Sequence, residues 1–130
     1  MTGRMKSRAR LDVAVAGGGV VGAACALALA RAGLDVALVE ARPVPRWLAE
    51  QPDLRVYALA PDNAALLDAL GVWPQVVRAR AQPYRKMRVW DAGGGDELAF
   101  DAATLARDEL GWIVENGLLV DRLWGARGAA

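Results

Sequence analysis

The apolar and polar positions of the chain open on a strand. Leu11 to Ala16 (Leu-Asp-Val-Ala-Val-Ala) is short, mostly apolar and rich in β-branched residues, the signature of a buried strand. A glycine-rich turn, Gly17 to Gly22, follows. Val21 to Ala32 is apolar on nearly every side and full of alanine, which predicts a helix packed closely on a sheet. Gly33 is placed to end it. Asp35 to Glu40 (Asp-Val-Ala-Leu-Val-Glu) predicts a second buried strand. Strand, tight turn, helix and strand within about 30 residues make a βαβ unit, with parallel strands and a right-handed crossover.

The pattern then changes. Arg42 to Pro52 holds three prolines and predicts an irregular loop. Pro61 to Leu70 predicts a helix with proline in its first turn and Leu66, Leu67 and Leu70 as an apolar stripe, stopped by Gly71. A short helix is expected within Trp73 to Ala81. Met87 to Asp91 and Glu97 to Asp101, joined by Ala92 to Asp96, predict a β-hairpin. Trp112 to Glu115 reads as a further strand. Asn116 is placed to cap a last helix from about Gly117 to Trp124, before a frayed end from Gly125. Trp90 and Trp112 are expected in core packing rather than in a substrate wall. The fold class is α/β: a Rossmann-like βαβ unit, then the beginning of a mixed β-sheet. The organisation expected is a basic tail (1–10), a nucleotide-binding part (11–80) and the start of a substrate-side region (81–130).

Composition narrows the chemistry. At 130 residues and 55% hydrophobic, the chain suits one small domain with a real core. Its longest apolar stretch, Val13 to Ala32, is broken by four glycines and does not make a spanning helix of about 20 strongly apolar residues. A net charge of +1 argues against nucleic acid as a partner. Arg4, Lys6, Arg8 and Arg10 make a basic start without the apolar stretch of a secretion signal. It is read as a solvated, disordered tail, with weak attraction to acidic membrane surfaces as the other reading.

There is no histidine, one cysteine (Cys25) and one serine (Ser7). Histidine-assisted serine or cysteine catalysis within the chain is therefore excluded, as are an internal disulfide and a His-ligated zinc. No residue is assigned as catalytic or metal-ligating. Chemistry, if present, falls to a bound cofactor.

Gly17-x-Gly19-x-x-Gly22 is where such a cofactor is expected. Gly17 lets the chain turn off the strand. Gly19 lets a pyrophosphate approach the backbone, and Gly22 lets the helix approach the sheet. The amides at the helix start, around Val20 and Val21, then face the phosphates with the positive end of the helix dipole. Glu40, at the end of the second strand, is at the expected distance to accept hydrogen bonds from both ribose hydroxyls of an adenosine. It also repels a 2′-phosphate, which disfavours NADP here. Ala41 and Arg42 follow it beside the adenosine. FAD and NAD share this fingerprint, and the unit by itself does not choose between them.

The segments that do choose lie further along. Asp12-Val-Ala-Val-Ala-Gly-Gly-Gly-Val-Val-Gly22, Leu54-Arg-Val-Tyr-Ala-Leu59, Leu66-Leu-Asp-Ala-Leu-Gly-Val-Trp73, Met87-Arg-Val-Trp-Asp91 and Leu110-Gly-Trp-Ile-Val-Glu-Asn116 occur in that order. The series resembles the N-terminal part of the FAD-dependent aromatic hydroxylases, in particular the branch that acts on ubiquinone precursors. The resemblance implies FAD at Gly17, Gly19, Val20, Val21, Gly22 and Glu40, with Arg55 reaching the cofactor; Ala41 and Arg42 are weaker candidates near the adenosine, and for Arg42 an ordinary surface arginine is the favoured reading. It implies NAD(P)H or another electron donor as co-substrate, and a reaction in which reduced flavin and O₂ deliver one oxygen atom to an electron-rich ring. The partner expected is a small aromatic or quinone-precursor substrate, in the cytoplasm or peripheral to the inner membrane, alone or within a multi-enzyme complex.

Members of that family are much longer and carry a later Gly-Asp segment and most of a substrate-binding sheet that this chain lacks. The reading is therefore of an N-terminal portion. A non-catalytic nucleotide-binding or interaction module, self-associating through open sheet edges, and an NAD-dependent oxidoreductase are the two alternatives.

Overall fold

The computed structural model describes residues 10–127. The basic tail, apart from Arg10, lies outside the described residues. Strand β1 (Val13–Ala16) alternates, with Val13 and Val15 turned toward the body of the protein. It pairs in parallel with β2 (Val36–Val39), in the register Val13 to Val36 through Ala16 to Val39. Helix α1 (Val20–Arg31) makes the crossover, and Ala23, Ala26 and Leu27 are its buried face. It ends as a glycine-terminated helix does. Gly33, at φ +89°, donates to the Ala30 carbonyl, and the Leu34 amide donates to Leu29. The predicted unit is thus formed as expected.

Strand β3 (Val56–Leu59) leads into α2 (Pro61–Ala69) and α3 (Trp73–Ala79). Proline opens α2, where its missing N–H costs nothing. Leu67 and Leu70 are buried, but Leu66 is 52% exposed, so the expected stripe is narrower than the sequence suggested. Leu66 lies on the side of α2 that borders an apolar groove beside Val21 and Cys25 of α1.

Strands β4 (Gln82–Tyr84) and β7 (Gly111–Glu115) complete a three-stranded antiparallel sheet in the order β3-β7-β4. Pro83 sits on the edge strand, where a missing amide is tolerated. β7 runs into α4 (Asn116–Ala126), which lies on α1. Their contact is the centre of the core: Ala23 and Leu27 from α1 meet Leu118, Leu119 and Leu123 from α4, with Val72, Val76 and Val114 around them. Each fully buried leucine contributes about 1.5–3 kcal/mol relative to exposure. Trp112 packs edge-on against Trp73, with ring centroids 5.2 Å apart, as its expected core role requires.

The predicted hairpin forms from β5 (Lys86–Val89) and β6 (Leu98–Asp101). One face is charged: Lys86 pairs with Asp101 at 3.0 Å, and Arg88 grips both oxygens of Glu97 at 2.7 Å. The register places Met87, Val89, Leu98 and Phe100 together on the other face, all of them exposed. Trp90 follows β5 and is 67% exposed, which corrects its expected place in the core. The strand it extends is hydrogen-bonded as a strand to β6 alone, in a sheet separate from the other two.

Candidate functional site

The carboxyl ends of β1 and β2 open onto a cleft of about 440 Å³. In an open parallel sheet this is where ligands bind. Gly17 leaves β1 at φ +100°, a conformation that side chains resist, and its amide still donates to Val39 of β2 at 2.8 Å. Gly18 is buried, and its two backbone polar atoms are both held. Its N–H donates to Oε2 of Glu40 at 2.7 Å, and its carbonyl accepts from the Trp124 indole of α4 at 2.8 Å. A Cβ on Gly18 would run into that indole ring.

Gly22 lies one turn into α1, where a Cβ would overlap the carbonyl oxygen of Gly17. Gly19 differs from both. It is exposed, its backbone is in an extended conformation open to any residue (φ −68°, ψ −173°), and no heavy atom lies within 4 Å of where a Cβ would stand. Gly18 and Gly22 are therefore required by the protein's own packing. At Gly19 the absent side chain leaves room in front of the helix for something that is not protein. No side chain caps α1, so the first-turn amides of Val20, Val21 and Gly22 keep their ligand-facing role available. The side chains of Val20 and Val21 point elsewhere, into the apolar groove beside α2.

Glu40 stands just after β2 and turns toward the glycine turn, as expected. Its carboxylate is already partly engaged: Oε2 accepts from Gly18 and Oε1 from the Arg42 amide at 3.0 Å. A carboxylate oxygen has two acceptor positions, so one on each oxygen remains for a ribose hydroxyl. The Gly18 amide, then that of Arg42, holds the Glu40 carboxyl below its ordinary value. Arg42 and Arg55 both line the cleft. Ala41, exposed in the turn after Glu40, is not among its lining residues.

The far wall was not anticipated from the sequence. Asp53, Asn116 and Val120 form it with Pro43, Val44 and Pro45. Asn116 does not cap α4. Glu115 is the N-cap residue without a side-chain bond, and Asp53 supplies the acceptor instead, taking the Gly117 amide at 2.9 Å. Asn116 accepts from the Tyr57 hydroxyl at 3.0 Å. A cap reached across 64 residues leaves no local trace in sequence. The one available signal was an Asp just after Pro52 at the start of the Leu54–Leu59 segment.

Three carboxyls thus serve this corner. The Arg55 amide is the main cause of a lowered Asp53 carboxyl, against its partial burial. Burial alone would raise Glu115, but the Asp53 amide, the Trp47 indole and Arg80 outweigh it and hold it below its ordinary value. Depressed folded-state values stabilise the fold fully above the ordinary carboxylate range. That contribution is lost as pH falls through the lowered values. The thermal midpoint is expected to stay level from pH 7 to about 5 and to fall below that. Asp53→Asn should lose less over the same acid window. A midpoint that rises on acidification would contradict this.

Comparison with known proteins agrees with the geometry. Residues 12–50 match the family of FAD dependent oxidoreductases. The chain is 41% identical over 116 residues to a 3-demethoxyubiquinol 3-hydroxylase of Escherichia coli, covering 88% of this chain and 29% of the relative. It is 39% identical over 121 residues to the mitochondrial ubiquinone biosynthesis monooxygenase COQ6 of Homo sapiens, covering 86% and 25%. The chain therefore spans under a third of the length of these curated relatives.

Among solved structures, it superposes on p-nitrophenol 4-monooxygenase from Pseudomonas putida with a TM-score of 0.65 and 27% identity, covering 89% of this chain and 29% of that one. A ternary complex of aklavinone-11 hydroxylase with FAD and aklavinone gives a TM-score of 0.61 and 31% identity, covering 95% and 25%. Residues 12–50 thus resemble the FAD dependent oxidoreductases, the chain is similar over most of its length to ubiquinone-pathway hydroxylases, and these likenesses support FAD as its cofactor.

Proposed function

We propose that this chain forms the adenosine-diphosphate-gripping part of an FAD-dependent monooxygenase that hydroxylates an aromatic ring, with a polyprenylated phenol precursor of ubiquinone as substrate. The observation that carries the reading is the contrast within the glycine turn: Gly18 is clamped by Glu40 and Trp124, while the space at Gly19 is empty. The α1 amides would meet the diphosphate, Glu40 the ribose, and Arg42 and Arg55 the flanks of the cleft through charge-assisted hydrogen bonds. When bound, FAD supplies the oxygen-transfer chemistry, with NAD(P)H or another donor as reductant. The protein's share is to hold the cofactor and exclude water. In the full enzyme, segment 11–80 would hold the cofactor together with Asn116 and Val120 of the cleft wall, and the rest of 81–130 would begin the substrate side.

Titration of the purified chain with FAD and with NADH tests this. Flavin fluorescence should report saturable FAD binding at least ~10-fold tighter than NADH. No uptake of FAD in excess, or preference for NADH, would sink the reading.

A second reading, an interaction module, draws on the exposed Met87, Val89, Leu98 and Phe100 face and on the open edges of the β1–β2 sheet. It expects concentration-dependent self-association in light scattering, and a well-behaved monomer would count against it. Association at a membrane surface or in a multi-enzyme complex is part of the same proposal. Among the described residues no helix is long and apolar enough to cross a membrane.

A further inference from the structure

Glu115 is the buried charged residue of the described chain, 6% exposed, and it is not in contact with the cleft. Three donors converge on it, two from the loop before β3 and one from the end of α3. The Trp47 indole donates at 3.1 Å and the Asp53 amide at 2.8 Å to one oxygen, and Arg80 donates at 2.7 Å to the other. Only an acceptor-only group satisfies all three. The Asp53 side chain reaches back across the same junction to the Gly117 amide, so the two carboxylates bracket each other's backbone.

Arg55 is fixed by this bracket at both ends of its backbone unit. Its N–H donates to Asp53 at 2.9 Å, and its carbonyl accepts from the Asn116 amide at 2.8 Å. Its guanidinium makes no ion pair among the described residues, and Arg55 lines the cleft. We propose that Glu115 is a positioning residue for the cofactor: by holding Asp53 against the β7–α4 corner, it fixes Arg55 where it meets the bound dinucleotide. This rests on the FAD reading above. Burying a carboxylate here has a desolvation cost that a hydrophobic residue would avoid, so stability alone does not explain it. The return is a fixed cleft wall.

The test is a double-mutant cycle on FAD affinity. Glu115→Gln keeps the shape but turns an N–H₂ toward one set of donors. Glu115→Gln and Arg55→Met are each expected to raise the FAD Kd about tenfold. The double variant should stay near about twentyfold rather than the hundredfold of independent sites. A folded Glu115→Gln that binds FAD within about twofold of wild type, or a multiplicative double variant, overturns the proposal.

Hydrogen exchange on the wild type reads the same link without any variant. FAD should slow exchange at the Asp53, Arg55 and Gly117 amides, and unchanged exchange there in a saturated sample overturns it even if Glu115→Gln does not fold. A wild type that takes up no FAD removes the flavin reading itself, and this inference with it. That result differs from wild-type binding with no response at Glu115.

Discussion

Gly22→Ala should destabilise the chain by about 3 kcal/mol or more and lower its thermal midpoint by about 10 °C or more. The added methyl has no flexible neighbour to displace. It meets the carbonyl oxygen of Gly17, whose own amide is tied to β2 at 2.8 Å and whose φ of +100° is already that of a tight turn. Relief requires α1 to lift from β1, and with it the contact of Ala23 and Leu27 on Leu118 and Leu123 of α4. A small domain has only about 5–15 kcal/mol in hand, so this single methyl consumes a large part of it. Circular dichroism melts of wild type and variant decide the matter. An unchanged midpoint would mean that the helix does not press on the turn as described.

Gly19→Val should do the opposite. The backbone there suits a β-branched residue, and the space around it is open, so the melt should stay within about 0.5 kcal/mol of wild type. FAD affinity should fall at least ~100-fold, equivalent to about 2.7 kcal/mol. The isopropyl group would stand where the diphosphate needs to approach the α1 amides, and Gly19→Ala should fall between the two. Fluorescence titration of all three proteins measures it. If Gly19→Val binds as tightly as wild type, the cofactor does not lie in front of this helix. Two glycines of one motif, three residues apart, are thus expected to separate folding from binding.

Much of this was legible in the sequence, and the reasons are local. The turn, α1 and β2 follow one another within a few residues, so periodicity and glycine placement specify them. The stops at Gly33 and Gly71 and the β5–β6 hairpin are equally short-range. The site was half legible. Glu40 was found because a strand end points at a fixed distance from the turn. Asp53, Glu115 and Trp124 were missed as site residues because the partners that place them lie 35 to 106 residues away, and nothing near each residue indicates which atom it will meet.

Trp90 was misplaced for a related reason. An aromatic beside a β-run normally marks a core, but this hairpin turns its apolar face to solvent. β3 and β4 went unassigned: β4 is three residues long and contains proline, and β3 is largely exposed, so neither gives a clean alternation.

The bond from the Trp124 indole to the Gly18 carbonyl joins residues 106 positions apart, and this sets an order of events during synthesis. The glycine turn leaves the ribosome well before the helix that braces it. At about 5–20 residues per second, translation leaves the turn waiting on the order of 5–20 s for its brace. Through that interval α1 lacks the leucines of α4 that cover it. A nascent chain stalled before α4 should therefore hold its nucleotide turn open to proteases, and one extended past Trp124 should close it.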